Sequence, residues 1–151
     1  MTFRDRPYPA FFSLAILLFL AATAGSDVVA RITVSGEGVG KAVTEHFYYA
    51  FVQPVGTVML LAPFALLGWM SASLAKRQGF ERGLVLFLIG ALLLGTMFFS
   101  AYQDSQKYMS QKMWTASTLS IGLLPFKSAP LILVCLAAQW FLARNSSEAQ
   151  T

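Results

Sequence analysis

The single histidine of this chain lies in a polar setting, the stretch "TEHFYYAFVQP" at residues 44–54. Imidazole changes charge near neutral pH, so His46 is the side chain best suited to move a proton there. At helical spacing His46, Tyr49, Gln53 and Thr57 follow at steps of three, four and four and share one helix face. Two further polar stripes answer it. One is Thr96, Ser100, Gln103 and Lys107, with Asp104 beside it; the other is Ser117, Ser120 and Lys127. Where these stripes converge, His46, Tyr49, Gln53, Asp104 and Lys127 outline an outward-facing polar vestibule, the candidate ligand site. The one acid–base arrangement these residues offer is His46 as general base with Asp104 as its orienting partner.

Other chemistries fall away. A catalytic metal takes about three protein ligands, whereas Glu45 and His46 are adjacent and point to different helix faces. A haem held by two histidines needs a second copy of the chain. A Ser-His-Asp triad lacks any strained turn that would single out a serine. The lone cysteine, Cys135, lies in an apolar run and reads as a small buried hydrophobe; the four-helix thiol-oxidising enzymes, which need cysteine pairs, are excluded. In "GEGVGK" the glycine spacing is wrong for a phosphate loop. No catalytic residue and no metal ligand is assigned.

The elements that must position the stripes are apolar. Of 151 residues, 56% are hydrophobic and 12% charged, and the mean hydropathy is +0.61. Soluble domains carry about 25% charged residues, so this chain has too little polar surface to cover a water-soluble globule. The net charge of +4 comes from Lys and Arg scattered singly or in pairs, without the basic face that nucleic acid requires. Four runs without a charged residue stand out: 10–26, 51–75, 83–102 and 128–143. Each approaches or exceeds the roughly 17 residues a spanning helix needs. The expected fold is all-α, a single integral membrane bundle of four transmembrane helices. The spans fall at about 10–30, 47–75, 83–104 and 119–143, with a short amphipathic outer segment between helices 1 and 2 and a polar tail at 144–151. The first run, with Ala22-Thr23-Ala24 near its end, also has the form of a cleavable secretory signal. Apolar character resumes after Asp27 in "VVARITV", which favours a retained anchor.

Tyr8, Trp69 and Trp140 fall near span ends on one side, and Tyr48, Tyr49, Tyr102, Tyr108 and Trp114 on the other, as interfacial anchoring demands. Lys76, Arg77 and Arg82 crowd the short link between the second and third spans. Basic residues in short loops mark the cytoplasmic side, so both termini are expected inside, in a bacterial inner membrane. Asn145-Ser146-Ser147 matches a glycosylation sequon but falls on that inner side. Helix packing is expected at small residues: Ala65, Gly68 and Ala72 in the second span, and Gly83, Gly90 and Gly95 in the third. These two helices are expected to form an antiparallel hairpin.

Three functions are compatible with this pattern. The leading expectation is a non-catalytic accessory or structural subunit that assembles with other membrane proteins or with itself. It rests on small-residue packing faces and on the lack of charge within the apolar runs. The second is a binder or carrier of a lipid, quinone or small amphiphile in the vestibule. The third is a membrane enzyme built on His46 and Asp104. Membrane lipid is an expected partner beside other membrane subunits or a second copy of the chain, and lipid is also the bound ligand these residues allow.

Overall fold

Proline and glycine cut the chain into helices. The computed structural model describes residues 6–144. Helix α1 (Pro7–Leu20) starts with proline, whose missing N–H costs nothing in a first turn. It continues through a π-helical turn at Ala21–Gly25 into α2 (Ser26–Ser35), which ends on Gly36 in the left-handed conformation, φ 68°. Then come α3 (Val39–Val52), α4 (Pro54–Gln78), α5 (Phe80–Ser110), α6 (Trp114–Gly122) and α7 (Leu124–Arg144). Gly79, at φ 100°, makes the tight turn between α4 and α5.

Four helical stretches are long and apolar enough to cross a membrane: Pro7–Ser35, Pro54–Gln78, Phe80–Ser110 and Trp114–Arg144. The protein is the all-α, four-span membrane bundle its composition requires. The span limits differ from the expected ones in instructive ways. Residues 47–52 belong to a separate helix, α3, and the second span begins at Pro54. A residue before proline is pushed out of the helical region, and Gln53 sits at φ −119°, ψ 63°. Pro54 also has no N–H to offer the Ala50 carbonyl four residues back. The Thr57 hydroxyl takes its place, donating to Ala50 O at 3.0 Å and to Gln53 O at 3.1 Å. The fourth span starts earlier than expected, at Trp114, and is interrupted at Leu123, just ahead of Pro125. The polar tail beyond Arg144, with its sequon, and Arg4 lie outside the described residues.

The helices alternate in direction. At one end the Tyr8 and Ser73 hydroxyls meet at 3.3 Å, and Arg82 donates to the Leu142 carbonyl at 3.1 Å. At the other, the Ser35 hydroxyl donates to Gln106 Oε1 at 2.9 Å, and Ser105 and Ser117 pair at 2.8 Å. Helix α4 packs on α1, α5 and α7, while α5 packs on α2, α4, α6 and α7. The core includes Phe11, Phe64, Leu67, Leu86, Leu94 and Phe98.

Small residues set the closest approaches, though not all where expected. A Cβ on Gly83 would lie 2.5 Å from Ser71 O, and one on Gly90 2.3 Å from a Leu67 methyl; both glycines seat α5 on α4. Gly68 instead faces α1, against Ala15 and the Phe11 carbonyl. Ala72 is buried and Ala65 half-buried. Gly95 has open space where a Cβ would be, so it sets no helix contact.

Candidate functional site

The site begins with a slip of register in the first span. Phe11, Ala15, Leu18 and Ala22 face inward at steps of four, three and four. Continued as an α-helix, that face would pass through Gly25, Val29 and Thr33, yet these three are exposed or nearly so. The π-helical turn inserts one residue into the ladder and rotates the inward face onto Asp27, Ala30 and Arg31. The turn consists of small residues, "AATAG", and the Thr23 hydroxyl donates to Phe19 O at 2.8 Å. Asp27 and Arg31 are thereby placed inside the bundle, at 5% and 6% exposure.

Two charges in such a position are tolerable only when paired. Arg31 Nε donates to Asp27 Oδ2 at 3.1 Å, and its NH1 donates to Glu45 of α3. Glu37 Oε2 is 3.5 Å from the same NH1, and Lys41 bridges Glu37 and Glu45 at 3.5 and 3.6 Å. His46 Nδ1 lies 2.9 Å from Asp27 Oδ2, and Gln106 Nε2 of α5 donates to Asp27 Oδ1 at 3.4 Å. The Arg31 guanidinium sits 5.9 Å from the centre of the Tyr49 ring. Asp27 is therefore the hub: α2, α3 and α5 all meet on its carboxylate. Three carboxylates face two permanent cations in the cluster.

Beside the hub is a cavity of about 510 Å³, within the roughly 300–1,000 Å³ typical of ligand pockets. Asp27, Arg31, His46 and Gln106 line it with Tyr49 and Gln53. Its other walls include Phe19, Leu20, Phe51, Met59, Leu60 and Ile121. The cavity thus has a charged end and an apolar end. It opens past Phe51, Gln53 and Thr118, which are themselves exposed.

The sequence-expected residues divide between two places. His46, Tyr49, Gln53 and Thr57 all line this cavity. Asp104 and Lys127 do not. They line a second cleft of about 410 Å³ between α5 and the α6–α7 pair, and Asp104 pairs with Lys107 at 3.5 Å. Residues two apart on a helix face opposite sides, so Gln106 takes the His46 side of α5 and Asp104 the other. The Ser105–Ser117 pair closes the seam between them. The orienting carboxylate of His46 is accordingly Asp27, not Asp104. Sequence reasoning treated Asp27 only as a boundary of the first run. The missed signal was the spacing: an aspartate and an arginine at i and i+4 directly after an otherwise uncharged helix.

No protein-family model, no characterised protein and no solved structure matches this chain. Function is therefore argued from the site.

A carboxylate accepts hydrogen bonds and cannot donate them, so the proton between Asp27 and His46 belongs to Nδ1. In the neutral ring this leaves Nε2 as an acceptor, and the hydrogen bond His46 makes among the described residues is through Nδ1. No three His, Cys, Asp or Glu side chains among the described residues form a metal-holding group. What the arrangement offers is an oriented imidazole at the polar end of an apolar cavity.

Proposed function

We propose that this protein is a membrane-embedded binder or carrier of a small amphiphile of lipid or quinone type. One observation carries the reading: the 510 Å³ cavity whose polar end is the Asp27–Arg31–His46 cluster and whose other walls are mostly apolar. An amphiphile matches that polarity with its head at the cluster and its chain along Phe51, Met59 and Leu60. The cavity favours this reading over that of an accessory subunit, because Gly68, Gly83 and Gly90 are used within the bundle and Asp27 and Arg31 place a charged cluster inside it.

Native mass spectrometry of protein taken directly from its membrane tests the proposal. The wild type should carry a small-molecule mass that Gly56→Trp loses. Gly56 lines the cavity and has open space at its Cβ, so a large side chain there can occupy the cavity. Equal occupancy in both proteins, or none in either, would refute the reading.

We infer further that the Gln78–Phe80 turn, flanked by Lys76, Arg77 and Arg82, faces the cytoplasm of a bacterial inner membrane. In a Cys135→Ala background, Lys76→Cys should resist an impermeant maleimide in intact cells while Gly38→Cys reacts. The reverse pattern would invert the topology.

A further inference from the structure

The polar end of the cavity also restricts the charge of what enters it. An anionic head would come up against Asp27, with Glu45 and Glu37 close behind. Lys41 is engaged by two carboxylates and Arg31, through Nε and NH1, by all three, so the cluster already holds one carboxylate more than it holds permanent cations. A cationic head meets the opposite obstacle. It would lie beside the buried Arg31 guanidinium, and it would have to displace the His46 and Gln106 donors that occupy the Asp27 oxygens. The nearest aromatic face, that of Tyr49, is already under Arg31. An anionic head would add to that excess of negative charge, and a cationic head would have to break hydrogen bonds already made; at a desolvated site either is costly.

An uncharged donor meets neither obstacle. With Nδ1–H donated to Asp27, Nε2 of a neutral imidazole is the acceptor the ring has left to offer. A hydroxyl satisfies it, and the remaining walls accept a hydrocarbon chain. We propose that the amphiphile held here carries an uncharged hydroxyl head, with His46 Nε2 accepting its hydrogen bond and Asp27 acting as the positioning residue that fixes the tautomer. This assignment rests on the reading of the cavity as an amphiphile site.

The test uses the full chain in phosphatidylcholine nanodiscs and three probes of equal chain length: dodecanol, dodecyl phosphate and dodecyltrimethylammonium. Binding is followed by native mass spectrometry at equal probe mole fraction. Dodecanol should bind at least about tenfold more tightly than either charged probe. His46→Ala should lose roughly fivefold in dodecanol affinity, one ordinary hydrogen bond, and His46→Gln, which keeps an acceptor, should recover part of it.

A second readout exploits the single histidine. Labelled with ¹⁵N, it gives one pair of ring nitrogens. They should report the Nδ1–H tautomer in the wild type, an Nε2 shift on adding dodecanol, and the Nε2–H tautomer in Asp27→Ala. An Nε2–H tautomer in the wild type, or a charged probe that binds as tightly as dodecanol, would overturn the hydroxyl assignment and leave amphiphile binding standing. Failure of all three probes, together with no native small-molecule mass, would overturn both.

Discussion

Alanine at Gly83, Gly90 and Gly95 should rank the contacts that hold α5 in the bundle. All three glycines lie in α5, so each substitution brings the same helix-propensity gain of about 1 kcal/mol. What differs is the space. At Gly83 the new methyl lands 2.5 Å from the Ser71 carbonyl oxygen and 2.6 Å from Ala75 Cβ. The nearest atom is backbone, so α4 and α5 must part. Overpacking of this kind costs about 1–3 kcal/mol, and the net loss should be about 0–2 kcal/mol once the propensity gain is subtracted. At Gly90 the obstacle is the end of the Leu67 side chain, 2.3 Å away. Leu67 can turn, but it is fully buried, so the net effect should fall between zero and that of Gly83→Ala. Gly95 meets nothing within 4 Å, and its alanine should be neutral or stabilising. The chain supplies its own reporter. Cys135 is its one cysteine and is 1% exposed, so thiol alkylation in detergent follows opening of the bundle. A gap of about 2 kcal/mol between Gly83→Ala and Gly95→Ala corresponds to roughly thirtyfold in the opening equilibrium. Equal alkylation of these two variants, or fastest alkylation of Gly95→Ala, would refute the packing account.

Two other perturbations probe the site. Asp27→Leu leaves Arg31, His46 and Gln106 without their shared acceptor and should cost about 3–5 kcal/mol; adding Arg31→Met should cost less than the sum of the two single changes, and strict additivity in chemical unfolding would show that the pair is not coupled. Thr57→Val removes the hydroxyl that replaces the missing Pro54 N–H, so about 1 kcal/mol of local stability should be lost as faster amide hydrogen exchange at the end of α3, and unchanged exchange there would show that the Ala50 carbonyl needs no such partner.

The four spans were legible because hydrocarbon demands long uncharged runs, and a run of that kind is visible residue by residue. Half of the site was legible for a related reason. His46, Tyr49, Gln53 and Thr57 are polar residues in helical register, and all four line one cavity. The other half was hidden by two local departures from ideal helix. The π-helical turn shifts the inward face by one residue, so no α-helical projection of the first span puts Asp27 and Arg31 inside. The break at Gln53–Pro54 separates α3 from α4, letting α3 lie against α2 and bring Glu45 and His46 to that pair. Asp104 and Lys127 show the opposite limit. Spacing within one helix does not say which side of α5 faces which neighbour, and they line the other cleft.

The same two departures explain why a cavity exists at all in a bundle of this size. Helix α4 is buried over much of its second half, from Pro63 to Ala75, and exposed or half-buried from Pro54 to Ala62. The close contacts of Gly68, Gly83 and Gly90 all fall in the closed half. In the open half Gly56 and Gly122 line the cavity and touch nothing at their Cβ positions. Small residues there do not draw helices together; they leave room. A bundle drawn tight at one end must splay at the other unless something fills the gap, and α3, released by Pro54, covers only part of it. The charged cluster stands at that uncovered end. Charges are hard to bury in a membrane protein, and a scaffold selected for stability alone would close over apolar side chains instead. Holding Asp27, Arg31 and His46 beside an open apolar cavity is costly in the way that a binding site is costly, and for that reason the cluster and the cavity are read together as one site.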